Sequence, residues 1–240
     1  MATVRPTLLV TGFAPFGGDE ENPSRLVARA LEGGQIEGAR VVACELPVAA
    51  HELRAALQPF WAARPTAILH LGLAGRRAQL ALERIAINLL DYAIPDNAGE
   101  RLHDMPIVAG GPAAYWSTLD VSASVATLRH HGLPAYASLS AGSFLCNAAL
   151  YLSLDHLAGT GQPWVPCGFL HLPYLPSQAA SKRSDTPSLA LEAMVEAARI
   201  VLEAAVILSR ARRPQSAFAP AAKAPIGTDP IGARTPFEGD

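Results

Sequence analysis

The chain is short of cysteine, of charge and of long apolar runs, and each shortage removes a class of protein. Its three cysteines, Cys44, Cys146 and Cys167, lie far apart, with neither the spacing of a metal site nor that of a disulfide framework. Only 17% of the residues are charged and the formal net charge is -2. There is no basic run and no aromatic–basic interleaving, so neither nucleic acid nor an anionic membrane surface is an expected partner. No stretch approaches the ~20 apolar residues that cross a bilayer. The apolar part of MATVRPTLLVTGF is too short for a signal-peptide core and runs straight into a glycine turn. Reduced thiols and a cytoplasmic location follow as expectations.

What is present is apolar residues, 50% of 240, enough for one sizeable core. Short apolar runs alternate with helical patterns. Residues 7–11, 39–46, 66–71, 80–89, 135–139 and 165–172 read as strands. Residues 23–32, 49–62, 113–131 and 143–154 read as helices, and Thr186-Pro187 reads as the start of a last helix reaching about Arg212. The rhythm predicts an α/β fold, a three-layer α/β/α sandwich around a mainly parallel mixed sheet, in a single domain. Residues 1–213 form that domain. Residues 214–240 carry five prolines and little periodicity and read as a Pro/Ala/Gly-rich disordered tail. The long loop at 91–111 is of the kind that often serves a site.

Cys146 lies in LSAGSFLCNAAL. A turn-like SAGS precedes it, able to cap a helix whose first turn holds the thiol. Free N–H groups there would lower the thiol pKa and bind an oxyanion. Equally, cysteine is a common core residue, which is the reading for Cys44 and Cys167. His171, in CGFLHLPYLP, ends a strand before a proline. It can point into a crevice at the sheet's carboxyl end or be a bonded core histidine; His70 is the nearest competitor. Glu83, in LALERIAINLL, shares an apolar face with Ala81, Ile85, Ile87 and Leu89. Burial there demands a partner, either an imidazole to orient or a neighbouring arginine; the other reading is exposure at a strand edge. The turn GFAPFGG at 12–18 is neither a dinucleotide nor a phosphate loop. Phe13 and Phe16 suggest a recess for a flat apolar group, or a packed turn with both rings in the core.

Four segments, VTGFAPFGGDEENPS, LERIAINLLDYAIPDNAG, LSAGSFLCNAALY and GFLHLPYLPSQ, together resemble the pyroglutamyl peptidase I family of cysteine peptidases. They run from Val10 to Gln178 in the family's order. The resemblance implies a cysteine exopeptidase that removes N-terminal pyroglutamate from peptides through a thioacyl-enzyme, with no metal or cofactor. It implies Cys146 as nucleophile, His171 as general base and acid, and Glu83 as the group orienting His171. It implies a ring pocket bordered by Phe13, Phe16, Asn22, Leu73, Phe144 and Leu145, and a homo-oligomer, tetrameric in many members. Two positions depart from the family's pattern: Leu73 stands where HxGQAG has glutamine, and Ala93 where DDARIPDN has arginine. A diverged member that binds lactam-like ligands without turnover is the alternative these departures raise.

Overall fold

Alternation within the apolar segments decides which side chains meet. In the computed structural model, which describes residues 6–212, the elements are β1 (Thr7–Phe13), α1 (Pro23–Leu31), β2 (Gln35–Ile36), β3 (Ala39–Leu46), α2 (Ala50–Ala62), β4 (Ala67–Leu73), β5 (Leu80–Glu83) and β6 (Ile85–Ile87). Then follow β7 (Ala114–Trp116), α3 (Val121–His130), β8 (Ala135–Ser138), α4 (Leu145–Gly159), β9 (Cys167–Leu172), α5 (Pro176–Ala179) and α6 (Leu191–Arg212). The proposed tail at 214–240 lies outside the described residues.

Seven strands form one sheet in the order β2-β3-β1-β4-β9-β5-β8. The central pairs β3/β1, β1/β4 and β4/β9 are parallel. β5 runs antiparallel to β9 and parallel to β8. The sheet is thus mixed and mostly parallel, as the sequence predicts. Successive side chains leave a strand on opposite faces. Leu8, Val10, Leu69, Leu71, Leu80, Leu82, Leu170 and Leu172 therefore pack with α1, α3 and α6. Leu9, Ile68, Cys167 and Phe169 pack on the other side with α2 and α4. The same parity sends Glu83, two residues after Ala81, and His171, two after Phe169, to the α4 side.

Three expectations need correction. The strand at 80–89 is two strands. β5 ends where Arg84 N donates to Ser138 O, and β6 leaves the main sheet to pair antiparallel with β7. Glu83 accordingly does not share a sheet face with Ile85, Ile87 and Leu89. The helix at 113–131 is helical only from Val121, where Asp120 caps it by accepting from Ala123 N. Ala114–Trp116 is taken instead as the partner of β6, which suits its aromatic residues. The last helix begins at Leu191, not at Thr186-Pro187. Leu189 N donates to Tyr174 O and Ser188 bridges Tyr174, so that stretch stays extended against the chain after β9.

Candidate active site

The thiol sits where the parity argument needs it. α4 opens with Phe144 as N-cap and no side-chain cap, so the SAGS stretch does not cap this helix, contrary to the sequence reading. Its first-turn N–H groups are left without a side-chain acceptor, and Cys146 is the second helical residue. Sγ rests against Gly72 on β4: a Cβ there would run into both Sγ and the Phe169 ring. Gly72 is the ladder partner of His171. The His171 and Phe169 rings have centroids 4.6 Å apart. Thiol and imidazole therefore occupy one small volume on one face of the sheet, although no hydrogen bond joins them among the described residues.

The carboxylate lies on the far side of the imidazole. Ala81 on antiparallel β5 is aligned with His171, and Glu83 reaches diagonally so that His171 Nδ1 donates to Glu83 Oε1 at 2.8 Å. A carboxylate only accepts, so Nδ1 carries the hydrogen and Nε2 keeps a lone pair. Glu83 is 0% exposed and His171 5%. Arg77, on the turn between β4 and β5, also donates to Glu83 Oε1, at 2.6 Å. Both partners considered for Glu83, an imidazole and an arginine, are in place.

These contacts set the charges. Burial is the largest influence on Glu83 and pushes it up, but its bonds to His171 and Arg77, with the Ser138 hydroxyl alongside, outweigh that and hold it below the usual carboxylate range. Burial lowers His171 despite the opposing pull of Glu83, and Arg77 lowers it further. The resting pair is an ionised carboxylate and a neutral imidazole. Cys146 departs from expectation. Burial, with the Glu83 charge added, pushes the thiol up to about 12, and the lowering by Arg77 and by its own backbone N–H is smaller. The helix start is there, but burial wins, so Cys146 rests as a thiol. The other cysteines are buried, as expected. His70 is a core histidine between Thr11 Oγ1 (2.8 Å) and Ser153 Oγ (2.9 Å).

Next to the thiol is a recess of about 130 Å³ lined by Phe13, Phe16, Glu21, Asn22, Val48, Leu73, Phe144, Leu145 and Cys146. All six residues expected around a ring pocket border this one cavity. Larger hollows, of about 310 and 640 Å³, lie elsewhere but include neither Cys146 nor His171. Phe144 is wedged between Phe16, at 5.3 Å between centroids, and the edge of Tyr92, at 4.5 Å. Asn22 caps α1 by accepting from Ser24 N and donates to Ala14 O, which fixes the aromatic turn between β1 and α1. Glu21 and Val48 were not singled out from sequence, although Glu21 is next to Asn22 in the same motif. Tyr92, Arg77 and Asn147 were missed too. Asn147 Oδ1 accepts from Ile87 N, and its Nδ2 donates to Ile87 O and Leu89 O, a strand partner supplied by a side chain. The loop at 91–111 is held at Ser143, where Asp91 N donates to Ser143 O, and at Pro15, where Asn97 Nδ2 donates to Pro15 O.

A thiol at a helix start, beside an imidazole bonded to a buried carboxylate at the carboxyl end of parallel strands, is the arrangement of a cysteine hydrolase. A family model described as pyroglutamyl peptidase matches residues 6–207. The chain is 41% identical over 203 residues to the pyrrolidone-carboxylate peptidase of Pyrococcus furiosus, covering 83% of this chain and 97% of that protein. It is 47% identical over 201 residues to that of Chromobacterium violaceum, covering 82% and 91%. The solved pyrrolidone carboxyl peptidase of Thermococcus litoralis superposes with a TM-score of 0.83 at 36% identity, over 87% of this chain and 96% of that one. The chain belongs to the pyroglutamyl peptidase family.

Proposed function

We propose that this protein removes pyroglutamate from the N-terminus of peptides, with Cys146 as nucleophile, His171 as proton carrier and Glu83 as its orienting anion. The observation that carries the reading is the His171–Glu83 hydrogen bond of 2.8 Å on the sheet face that also holds Cys146, at the wall of the aromatic cavity.

The chemistry follows from the charges. Pyroglutamate is a closed lactam without a cationic amine, so an apolar recess suits it where an acidic or metal-bearing one would not. Its ring enters between Phe13, Phe16 and Phe144, with Leu73, Leu145 and Asn22 at the border. The carbonyl linking it to the next residue then faces Sγ. Because the thiol rests protonated, its proton passes to His171 Nε2 as the S–C bond forms. First-turn N–H groups of α4 receive the developing oxyanion. Imidazolium, stabilised by Glu83, returns the proton to the leaving amine nitrogen as the C–N bond breaks. Water then attacks the thioester, giving a proton to Nε2 and freeing pyroglutamate and the thiol.

The test is release of a chromogenic amine from its pyroglutamyl conjugate, with and without a thiol alkylator. Turnover abolished by the alkylator supports the reading. Binding of pyroglutamate without turnover favours the diverged-member alternative, for which Leu73 and Ala93 are the motive. Among the described residues no helix is long and apolar enough to cross a membrane. A cytoplasmic location and a homotetrameric assembly complete the proposal; light scattering on the full chain tests the assembly.

A further inference from the structure

A permanent cation touches the carboxylate that orients the imidazole. Arg77 Nη1 donates to Glu83 Oε1 at 2.6 Å, the same oxygen that accepts from His171 Nδ1. Its Nη2 donates to Ser140 O at 3.1 Å, six residues before Cys146 on the loop that leads into α4. Arg77 is itself set by a turn in which its N–H donates to Ala74 O. Among the described residues it is the only arginine or lysine paired with Glu83. That matters because Glu83 is fully buried and its Oε2 has no hydrogen-bond partner. An ionised carboxylate so placed depends on the charges it does touch.

We infer that Arg77 is a positioning residue for the hydrolysis: it holds Glu83 ionised and in register with His171, and ties that pair to the loop that delivers Cys146. This inference rests on the proposed reaction. Glu83 is faced by His171 from β9, Arg77 from the β4–β5 turn, Cys146 from α4 and the uncharged Ser138 hydroxyl from β8. Within that group the guanidinium disfavours imidazolium and favours thiolate. Losing it therefore moves both titrations to higher pH, whereas losing a mere packing contact moves neither.

The experiment measures kcat and KM for a pyroglutamyl amide across pH for the unaltered full chain, Cys146→Ala, Arg77→Met and Arg77→Lys. Arg77→Met is expected to lower kcat about tenfold or more with KM changed less than about twofold, and to move the acid limb of kcat/KM upward in pH. Arg77→Lys, which keeps the charge but cannot reproduce the two-armed contact, is expected to restore the limb and part of kcat. Should Arg77→Met fail to fold, Arg77→Gln, an uncharged hydrogen-bonding replacement, takes its place with the same expectations. An uncharged variant with the parent's kcat and limb overturns the inference, as does a slower variant whose limb stays put. If the unaltered chain turns over and Cys146→Ala does not, those results count against Arg77 alone. No turnover by the unaltered chain overturns the proposed function and this inference together.

Discussion

Gly72 and Cys146 touch so closely that a single methyl group would not fit between them: a Cβ on Gly72 would lie 2.8 Å from Sγ and 2.7 Å from the Phe169 ring. Gly72→Ala should displace the Cys146 thiol from the His171 imidazole. We expect kcat to fall about 100-fold while overpacking costs about 1–3 kcal/mol of stability, read from steady-state kinetics and urea unfolding of the same preparation. A variant within about threefold of the parent in kcat would show that this contact does not aim the thiol.

The pH dependence of turnover should reflect a neutral imidazole and a protonated thiol. His171 is held below its ordinary value of about 6.5, so its base form persists through neutrality and kcat/KM should fall only on the acid side of that value. With Cys146 pushed up to about 12, alkylation by iodoacetamide at pH 7 should be slower than that of a free cysteine. An acid limb above the ordinary histidine value, or alkylation faster than free cysteine, would indicate a preformed thiolate–imidazolium pair instead.

Glu83→Gln keeps the shape of the side chain and removes the charge that fixes the His171 tautomer. We expect kcat to drop about 100-fold or more, with a folded protein by circular dichroism, as expected when an orienting carboxylate is lost. A rate close to the parent's would remove Glu83 from the catalytic group.

The buried His70 ties stability to pH. Burial pushes its imidazole down to about 3, whereas in the unfolded chain it titrates near 6.5. The depressed folded value means that its contribution is complete above the unfolded value and is lost as pH falls from there toward 3. The slope is about 1.4 kcal/mol per pH unit, or about 2 kcal/mol between pH 7 and pH 5 from this group. Urea unfolding at both pH values measures it. His70→Gln should be less stable at pH 7 but show a shallower dependence, and an unchanged slope would place its source elsewhere.

Leu73 borders the cavity with an apolar side chain, so its departure from the family's glutamine should matter little if that position serves through its backbone. Leu73→Gln is expected to leave kcat/KM within about threefold. A rise of thirtyfold or so would mean that a side-chain amide takes part in holding the lactam.

Much of the layer plan was legible because it depends on local alternation. The parity of β4, β5 and β9 alone carries Gly72, Glu83 and His171 to the α4 side. The short apolar stretch after Glu83 defeated that reading, since its pattern is continuous across Arg84 while the pairing changes to a different sheet. Tyr115 and Trp116 fit a helical window but are claimed by β6. The start of α6 was misread because Thr186-Pro187 is a good local signal overruled by pairing with Tyr174. Arg77 was not picked out, although a neighbouring arginine was an expected partner for Glu83 and the two are only six residues apart: that the same carboxylate oxygen also meets His171 depends on β5 lying antiparallel beside β9, a long-range choice that no local pattern records. The direction of the Cys146 shift was missed likewise, as a sequence displays the helix start but not the crowd of side chains around it.

The ties that Asn147, Ser143 and Pro15 make to residues 87–97 have a consequence for affinity. A small lactam offers few atoms with which to compensate for ordering a floppy receptor. Here the frame around the recess is fastened during folding, at the helix that carries Cys146 on one side and the aromatic turn on the other. Docking a ring then freezes little that was loose, and a modest contact area can suffice for selective recognition.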